Sequence, residues 1–136
     1  MTMTRARLLP LLLVAAVLGC DGNSYQAPKT PHGGAVMPLP EKQGAVEFVR
    51  RSVEGSGDQV ALVAYFFGAD DKPMASPPTS ATFTPSLRGS KPVELKPSGD
   101  GEATLTSAPF PAEEEIEGKF SATIGGRPVV IAIQIR

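Results

Sequence analysis

His32 has the broadest chemical range of any residue in this chain, because an imidazole can bind a metal or move a proton. It is the only histidine among 136 residues, and it lies in the segment Pro31-His32-Gly33-Gly34. Met37 and Met74 could add thioether sulfur, and imidazole together with thioether suits Cu(I). These three residues are therefore candidate metal ligands. The alternative is that His32 is a surface histidine in a glycine-rich turn.

The sequence carries no motif of the common catalytic classes. A Gly-x-Ser-x-Gly elbow, a phosphate-binding P-loop and a His-Glu-x-x-His zinc motif are all missing from it. A Ser-His-Asp arrangement would have to use His32, at the entrance of the domain. The acidic run Glu113–Glu117 is interpreted as a solvated loop, because it lacks the ligand spacing of a calcium loop. We therefore expect no enzymatic activity.

Cys20 is the only cysteine, and it follows an apolar run from Leu8 to Leu18 that is preceded by Arg5 and Arg7. A basic start, a short apolar stretch and small residues before a cleavage point are typical of a secretory leader. A helix that crosses the membrane needs about 20 apolar residues, so this run is too short to be retained as a span. Plain secretion is the alternative to a membrane anchor.

The end of this leader, Val17-Leu18-Gly19-Cys20, resembles the lipobox of bacterial lipoprotein precursors. The resemblance implies cleavage before Cys20 and covalent attachment of acyl chains, such as palmitate, to that residue. Apart from the metal that His32, Met37 and Met74 would bind in the alternative above, we expect no other cofactor. Two or three acyl chains hold a protein firmly to a membrane, whereas one chain binds only marginally. The resemblance also implies a place in the bacterial cell envelope, at either the inner or the outer membrane, with the domain facing the periplasm or the cell exterior.

Composition divides the chain into three parts. Residues 1–19 are the predicted signal peptide, residues 20–31 the lipidated cysteine and a flexible tether rich in Gly, Asn, Ser and Pro, and residues 32–136 a single domain. Lys and Arg number 13 against 14 Asp and Glu, and loss of Arg5 and Arg7 with the leader makes the mature chain more acidic. Because no basic stripe remains, we expect no nucleic-acid partner.

Short alternating runs separated by Gly and Pro fill the domain. Apolar residues occupy every second position around Phe48, Phe83, Leu95, Leu105, Phe120 and Ile133. Such alternation indicates strands with one face in a core and the other in water. The pattern predicts a small antiparallel β-sandwich, immunoglobulin-like, of about seven strands. With His-Gly-Gly at its entrance, this body resembles small β-sandwich lipoproteins of the bacterial envelope.

The segment Val60–Phe67 differs from the others because both of its faces are apolar. Such a strand is either central and covered on both sides, or it presents one face as an exposed patch. Tyr65 and Phe67 lie on the second face and are the candidate contact residues for a partner.

The C-terminal part predicts a hairpin. Gly125-Gly126 separates two alternating runs, and glycine supplies the positive φ that tight hairpin turns need. We expect Phe120–Ile124 and Val129–Ile135 to pair antiparallel. Before them, Pro109–Gly118 has the composition of a single helical turn.

These observations predict a lipid-anchored binding or interaction module of the bacterial envelope. It would be held at a membrane through Cys20 and would contact an envelope protein. The alternative function is a periplasmic copper-binding or carrier protein that uses His32 with Met37 or Met74.

Overall fold

The computed structural model describes residues 30–55, 57–98, 103–112 and 115–136. The predicted signal peptide, Cys20 and most of the predicted tether therefore lie outside the described residues. Within the described part of the chain, no helix is long and apolar enough to cross a membrane.

Nine antiparallel strands and one short 3₁₀ turn make up the described fold, which confirms the predicted all-β class. The strands are β1 (Ala35–Pro38), β2 (Ala45–Ser52), β3 (Gln59–Phe67), β4 (Ala81–Pro85), β5 (Val93–Pro97), β6 (Thr104–Ser107), β7 (Phe110–Pro111), β8 (Ile116–Ile124) and β9 (Arg127–Ile135), and the 3₁₀ turn is Pro40–Lys42. One continuous sheet connects them in the order β1-β2-β3-β6-β5-β4-β8-β9, and β7 also pairs with β3.

The sheet curls until its two halves face each other across one core. Phe120 of β8 meets Phe48 of β2 edge to face, with 4.9 Å between the ring centroids, and Phe66 of β3 lies 6.1 Å from the same ring. Near one end of the fold, Arg127 of β9 forms an ion pair with Glu41 in the loop between β1 and β2. The molecule is therefore a small sandwich that is nearly closed into a barrel.

The predicted C-terminal hairpin is confirmed. β8 and β9 pair from Ile116↔Ile135 to Ile124↔Arg127, and β8 alternates strictly between buried and exposed residues. Gly125 and Gly126 have φ values of 59° and 79°, as a two-residue turn with both central residues left-handed requires.

The predicted helical turn at Pro109–Gly118 is wrong for the residues that the structure describes there. Phe110 instead pairs with Val60 and packs 5.7 Å from Phe83, while β8 already begins at Ile116. Pairing with β3 and burial of an aromatic ring outweigh the weak local preference of a Pro- and Glu-rich segment for a helix.

The alternation predicted around Phe48 is confirmed, but the face opposite the core at this point does not meet water. Val46 and Phe48 are buried in the core, and Glu47 between them is also completely buried. What covers Glu47 defines the candidate site.

Candidate functional site

The His-Gly-Gly segment forms a turn that leads directly into β1. The Gly33 N–H donates to the Thr30 carbonyl over 3.0 Å, and Gly33 has a φ of +72°, a conformation that favours glycine. Gly34 packs so closely on β2 that a Cβ there would overlap the Phe48 carbonyl oxygen. The two glycines therefore allow the turn to fold back onto β2 beside Glu47.

This turn binds the buried carboxylate of Glu47 through three hydrogen bonds. Oε1 accepts from the backbone N–H of His32 at 3.0 Å and from that of Gly34 at 2.9 Å. Oε2 lies 3.0 Å from the Nδ1 of the His32 ring. A buried charge is costly unless it is paired and hydrogen-bonded, and the His-Gly-Gly turn supplies these partners.

The same contact selects the form of the His32 ring. A carboxylate only accepts hydrogen bonds, so Nδ1 keeps its proton and donates a hydrogen bond to Glu47. In a neutral ring, Nε2 then keeps its lone pair. The side chain of His32 is 40% exposed while that of Glu47 is not exposed at all. The site thus presents an accessible imidazole, and its hydrogen bond with the buried Glu47 carboxylate sets the orientation of the ring.

Aromatic stacking fixes the plane of the imidazole. The ring of His32 lies parallel to that of Tyr65, with 3.6 Å between the centroids and 5° between the planes, and Phe67 is 6.4 Å away. The register of the sheet explains this arrangement, because Glu47 of β2 pairs directly with Tyr65 of β3. Residues directly opposite on adjacent strands project their side chains to the same face.

Arg51 completes the surface by reaching the outer end of the tyrosine. Its Nη2 donates to the Tyr65 hydroxyl over 3.4 Å. We call the set His32, Glu47, Arg51, Tyr65 and Phe67 the His32 face. It contains an imidazole, a guanidinium and two aromatic rings above one buried carboxylate.

The second apolar face of β3 is covered in part. Ala61 and Val63 are buried, whereas Tyr65 and Phe67 are half-buried. β3 is a central strand, with β2 on one side and both β6 and β7 on the other. The first part of this face, at Ala61 and Val63, is therefore covered. Tyr65 and Phe67, the two candidate contact residues, remain partly accessible beside His32.

The two methionines pack elsewhere. Met37 pairs with Val46, so it shares the core side of the sheet while His32 lies on the side of Glu47. Met74 is also half-buried and packs against the hydrophobic core. The structure thus places His32 with Tyr65 and Phe67 rather than with Met37 or Met74. Within the described ranges, no group of three or more His, Cys, Asp and Glu residues is gathered that could hold a metal ion.

Glu47 and Arg51 were not among the residues singled out from the sequence. The only sequence signal for Glu47 is its position as a single carboxylate among the apolar residues of Val46–Val49. On a strand with one face in water, a carboxylate at such a position is ordinary. Arg51 gives no signal of its own, because its role depends on how far the side chain extends toward Tyr65.

A cleft lies at another part of the fold. This open cleft of about 1030 Å³ has Phe83, Phe110 and the exposed Leu87 among its lining residues. The acidic residues Asp58 and Glu117 also line it, and both are exposed. Because none of the described residues that line the cleft is a buried polar residue, the His32 face is the stronger candidate site.

Comparisons of the chain with models of protein families, with curated proteins and with solved structures find no match. The interpretation of the His32 face therefore depends on its own geometry and chemistry.

Proposed function

We propose that this chain is a lipid-anchored binding module of the bacterial envelope that contacts a protein partner through the His32 face. The observation that carries the proposal is the fixed stack of His32 on Tyr65 above buried Glu47, where the N-terminal segment enters the domain. The role is binding rather than catalysis.

The composition of the face supports contact with a protein. Residues that dominate binding energy at protein interfaces are enriched in Tyr and Arg and cluster around aromatic anchors. Tyr65 and Phe67 are half-buried, so each leaves ring surface that a partner can cover. The hydrogen bonds and stacking already hold His32 and Tyr65 in place, and such preorganisation lowers the entropy cost of binding.

Anchoring supplies the second half of the mechanism. A lipid on Cys20 would confine the domain to a membrane surface, because only a short stretch of sequence separates Cys20 from the His-Gly-Gly turn. Confinement of this kind raises the effective concentration of the domain near partners in the same membrane.

The periplasmic metal carrier remains a second candidate because of one observation. Glu47 holds Nδ1 of His32 in the manner that carboxylates hold metal-binding histidines. Met37 and Met74 contact the core, so this candidate depends on His32 and not on a His–Met set.

The anchor is tested with Cys20→Ser in the cell. We expect the variant to accumulate as uncleaved precursor without incorporated acyl label, because the modification needs the thiol. Metabolic labelling with a clickable fatty acid, followed by mass spectrometry of the N-terminus, measures both features. Normal processing and normal labelling of Cys20→Ser would contradict the assignment.

The partner surface is tested with a photo-crosslinking amino acid placed at Phe67 in intact cells. The matched control carries the same group at Lys119, an exposed position on β8. We expect a discrete crosslinked protein from position 67 that the control lacks, and Tyr65→Ala should weaken it. Equal crosslinking from both positions, or none from position 67, would oppose the His32 face as the contact surface.

A further inference from the structure

We propose that the outer edge of β9 binds the same edge of a second copy of this chain, so that two molecules share one antiparallel sheet across a twofold axis. This inference goes beyond the proposed function, because it depends on β9 alone and not on the lipid anchor or the His32 face.

β9 is the last strand of the sheet and pairs on one side only. The sheet order begins with β1 and ends with β9, and among the described strands β9 pairs with β8 alone. At the start of β9, the ion pair between Arg127 and Glu41 connects the two ends of the sheet through side chains. A strand edge of this kind presents unpaired N–H and C=O groups, which form a template for another strand.

The tight turn before β9 determines which backbone groups point to the open side. Ile124 pairs with Arg127 across the two-residue turn, and in such a hairpin this first pair exchanges both of its hydrogen bonds. Bonded and outward-facing residues then alternate along the strand, so the outward positions are the even-numbered ones, Pro128, Val130, Ala132 and Gln134. Pro128 agrees with this assignment, because proline lacks an N–H and occurs in sheets where no neighbouring strand needs one. Within the described ranges, the N–H groups of the other three have no hydrogen-bond partner.

This edge lacks most of the features that keep exposed strands apart. Natural edge strands are blunted by short length, charged side chains, proline or a bulge. β9 has nine residues and pairs with β8 residue for residue, without a bulge, and no charged residue lies between Arg127 and Arg136. Only Pro128, near the start of the strand, opposes pairing. By contrast, β1 at the opposite end of the sheet has four residues and ends at Pro38, so β9 is the better acceptor of a further strand.

The solvent side of β9 is apolar as well. Val130 is 65% exposed and Ala132 beyond it is also exposed, whereas Val129 and Ile133 are buried in the core. In the described part of the chain, Val130 and Leu87 are the large hydrophobic residues that are exposed. A strand added to this edge would cover part of Val130 and bond the open N–H groups, so apolar and backbone contacts both contribute to binding.

The sequence of β9 fits a second copy of itself in the antiparallel direction. In a twofold pairing about Ile131, Val130 lies opposite Ala132 of the second copy, and Val129 lies opposite Ile133 of the second copy. Apolar residues therefore meet on both sides of the shared sheet. The same register sets outward-facing residues opposite one another, as the hydrogen bonds of an antiparallel ladder require.

The charges of β9 favour the antiparallel direction. Arg127 lies at the start of the strand and Arg136 directly after its end, and the strand has no acidic residue. A parallel pair of copies would place each arginine beside its own counterpart, whereas the antiparallel register sets Arg127 opposite Ile135 of the second copy. Each arginine also has a carboxylate partner in its own chain, Glu41 for Arg127 and Glu115 for Arg136.

Another segment of the same chain is a weaker occupant of this edge. The sequence Asp21–Pro31 contains two prolines, which cannot donate ladder hydrogen bonds, and it is rich in residues that disfavour strands. A second copy instead supplies a nine-residue strand rich in Val and Ile, the residue types that favour strands.

Amide hydrogen exchange of the intact chain in detergent tests the pairing directly. We expect exchange at Val130, Ala132 and Gln134 to slow by about tenfold or more as the protein concentration rises into the range where dimers form. Analytical ultracentrifugation measures that range on the same samples. Ile131 and Ile133 are at positions bonded to β8, so their N–H groups should be protected at every concentration and serve as internal controls.

Two charge variants that share one substitution test the register. In Val130→Glu/Ala132→Glu, carboxylates of the two copies would face each other, whereas in Val130→Lys/Ala132→Glu each lysine would face a glutamate. Both positions are on the solvent side of β9, and Lys119 of β8 lies opposite position 132 in both variants. We expect the first variant to dimerise about tenfold or more weakly than the second, because like charges directly opposite are destabilising and opposite charges are stabilising.

The native chain alone can overturn the inference, so the test does not depend on a variant that fails to fold. A chain that stays monomeric, or that dimerises while the N–H groups of Val130, Ala132 and Gln134 exchange freely, would exclude pairing through this edge. Protection that is independent of concentration would assign the edge to a segment of the same chain.

Two further outcomes would count against a second copy in this register. Equal dimerisation of the two charge variants would exclude pairing about Ile131. A photo-crosslinking residue at Val130 that captures a different protein in intact cells, and no second copy, would assign the edge to that protein. None of these results would remove crosslinking from Phe67, so failure here is distinct from failure of the proposed function.

Discussion

Replacing Glu47 tests the central structural claim, that a buried carboxylate holds the entrance of the domain onto the sheet. The two informative changes are Glu47→Ala, which removes the acceptor, and Glu47→Gln, which keeps its shape. Glutamine can still accept from the backbone N–H groups of His32 and Gly34 with its single oxygen. Its NH₂ group then faces Nδ1 of the His32 ring.

The magnitude follows from the hydrogen bonds that each change removes. Glu47→Ala leaves two backbone N–H groups, now bound at 3.0 and 2.9 Å, without their acceptor. At about 1–2 kcal/mol for each hydrogen bond to a charged group that is lost, the expected loss of unfolding free energy is about 2–4 kcal/mol. Loss of the contact with the His32 ring adds little to this decrease in unfolding free energy, because the ring is 40% exposed and can form a hydrogen bond with water instead. Glu47→Gln keeps an acceptor for both N–H groups but removes the charge from all three hydrogen bonds, and it should cost less than Glu47→Ala, about 1 kcal/mol.

Guanidinium-induced unfolding of the intact chain in detergent measures these differences, provided that the dependence on denaturant is the same for all variants. Glu117→Ala is the matched control, because it removes a carboxylate from an exposed position on β8 and should change stability by less than about 0.5 kcal/mol. The ¹⁵N signals of His32 give a second readout. In Glu47→Gln the NH₂ group donates to Nδ1, so the ring proton should move to Nε2.

Two results would refute the reasoning. A loss below about 1 kcal/mol in Glu47→Ala would mean that the carboxylate does not hold the His-Gly-Gly turn, since even one unsatisfied donor costs this much. Equal and large losses in Glu47→Ala and Glu47→Gln would mean that the charge of Glu47, and not its acceptor geometry, stabilises the entrance.

Two further predictions concern the scaffold that positions this face. Phe120→Ala should lower the unfolding free energy by about 3–5 kcal/mol, because the ring is completely buried against Phe48; a loss below about 1 kcal/mol on denaturation would disagree with this packing. Gly126→Val should lower it by about 1–2 kcal/mol through the left-handed backbone alone, since a Cβ there has open space and φ is +79°. Gly126→Asn, which tolerates this conformation, is the control, and equal melting temperatures of the two variants would argue against the backbone explanation.

Most of the architecture could be predicted from local patterns. Alternation around Phe120 and Ile133 identifies β8 and β9 because successive side chains of a strand point to opposite faces, whatever the rest of the chain does. Gly125-Gly126 identifies their turn for an equally local reason, the need for positive φ. The sequence also drew attention to His32, since it is the only histidine in the chain.

The tertiary structure alone decided what surrounds that histidine. Alternation correctly separated Glu47 from Val46 and Phe48, but it could not show that the His-Gly-Gly turn would fold over the carboxylate and bury it. The metal hypothesis drawn from donor types also grouped His32 with Met37, which the pairing of β1 with β2 assigns to the opposite side of the sheet.

The physical reason is that period-two alternation fixes only the two sides of each strand. Which side is covered, and by which groups, depends on the register between strands and on the path of the segments that connect them. In this protein the register brings Tyr65 beside Glu47, and the turn then brings His32 above both. The sequence by itself therefore determined the scaffold and its one imidazole, while strand register created the site.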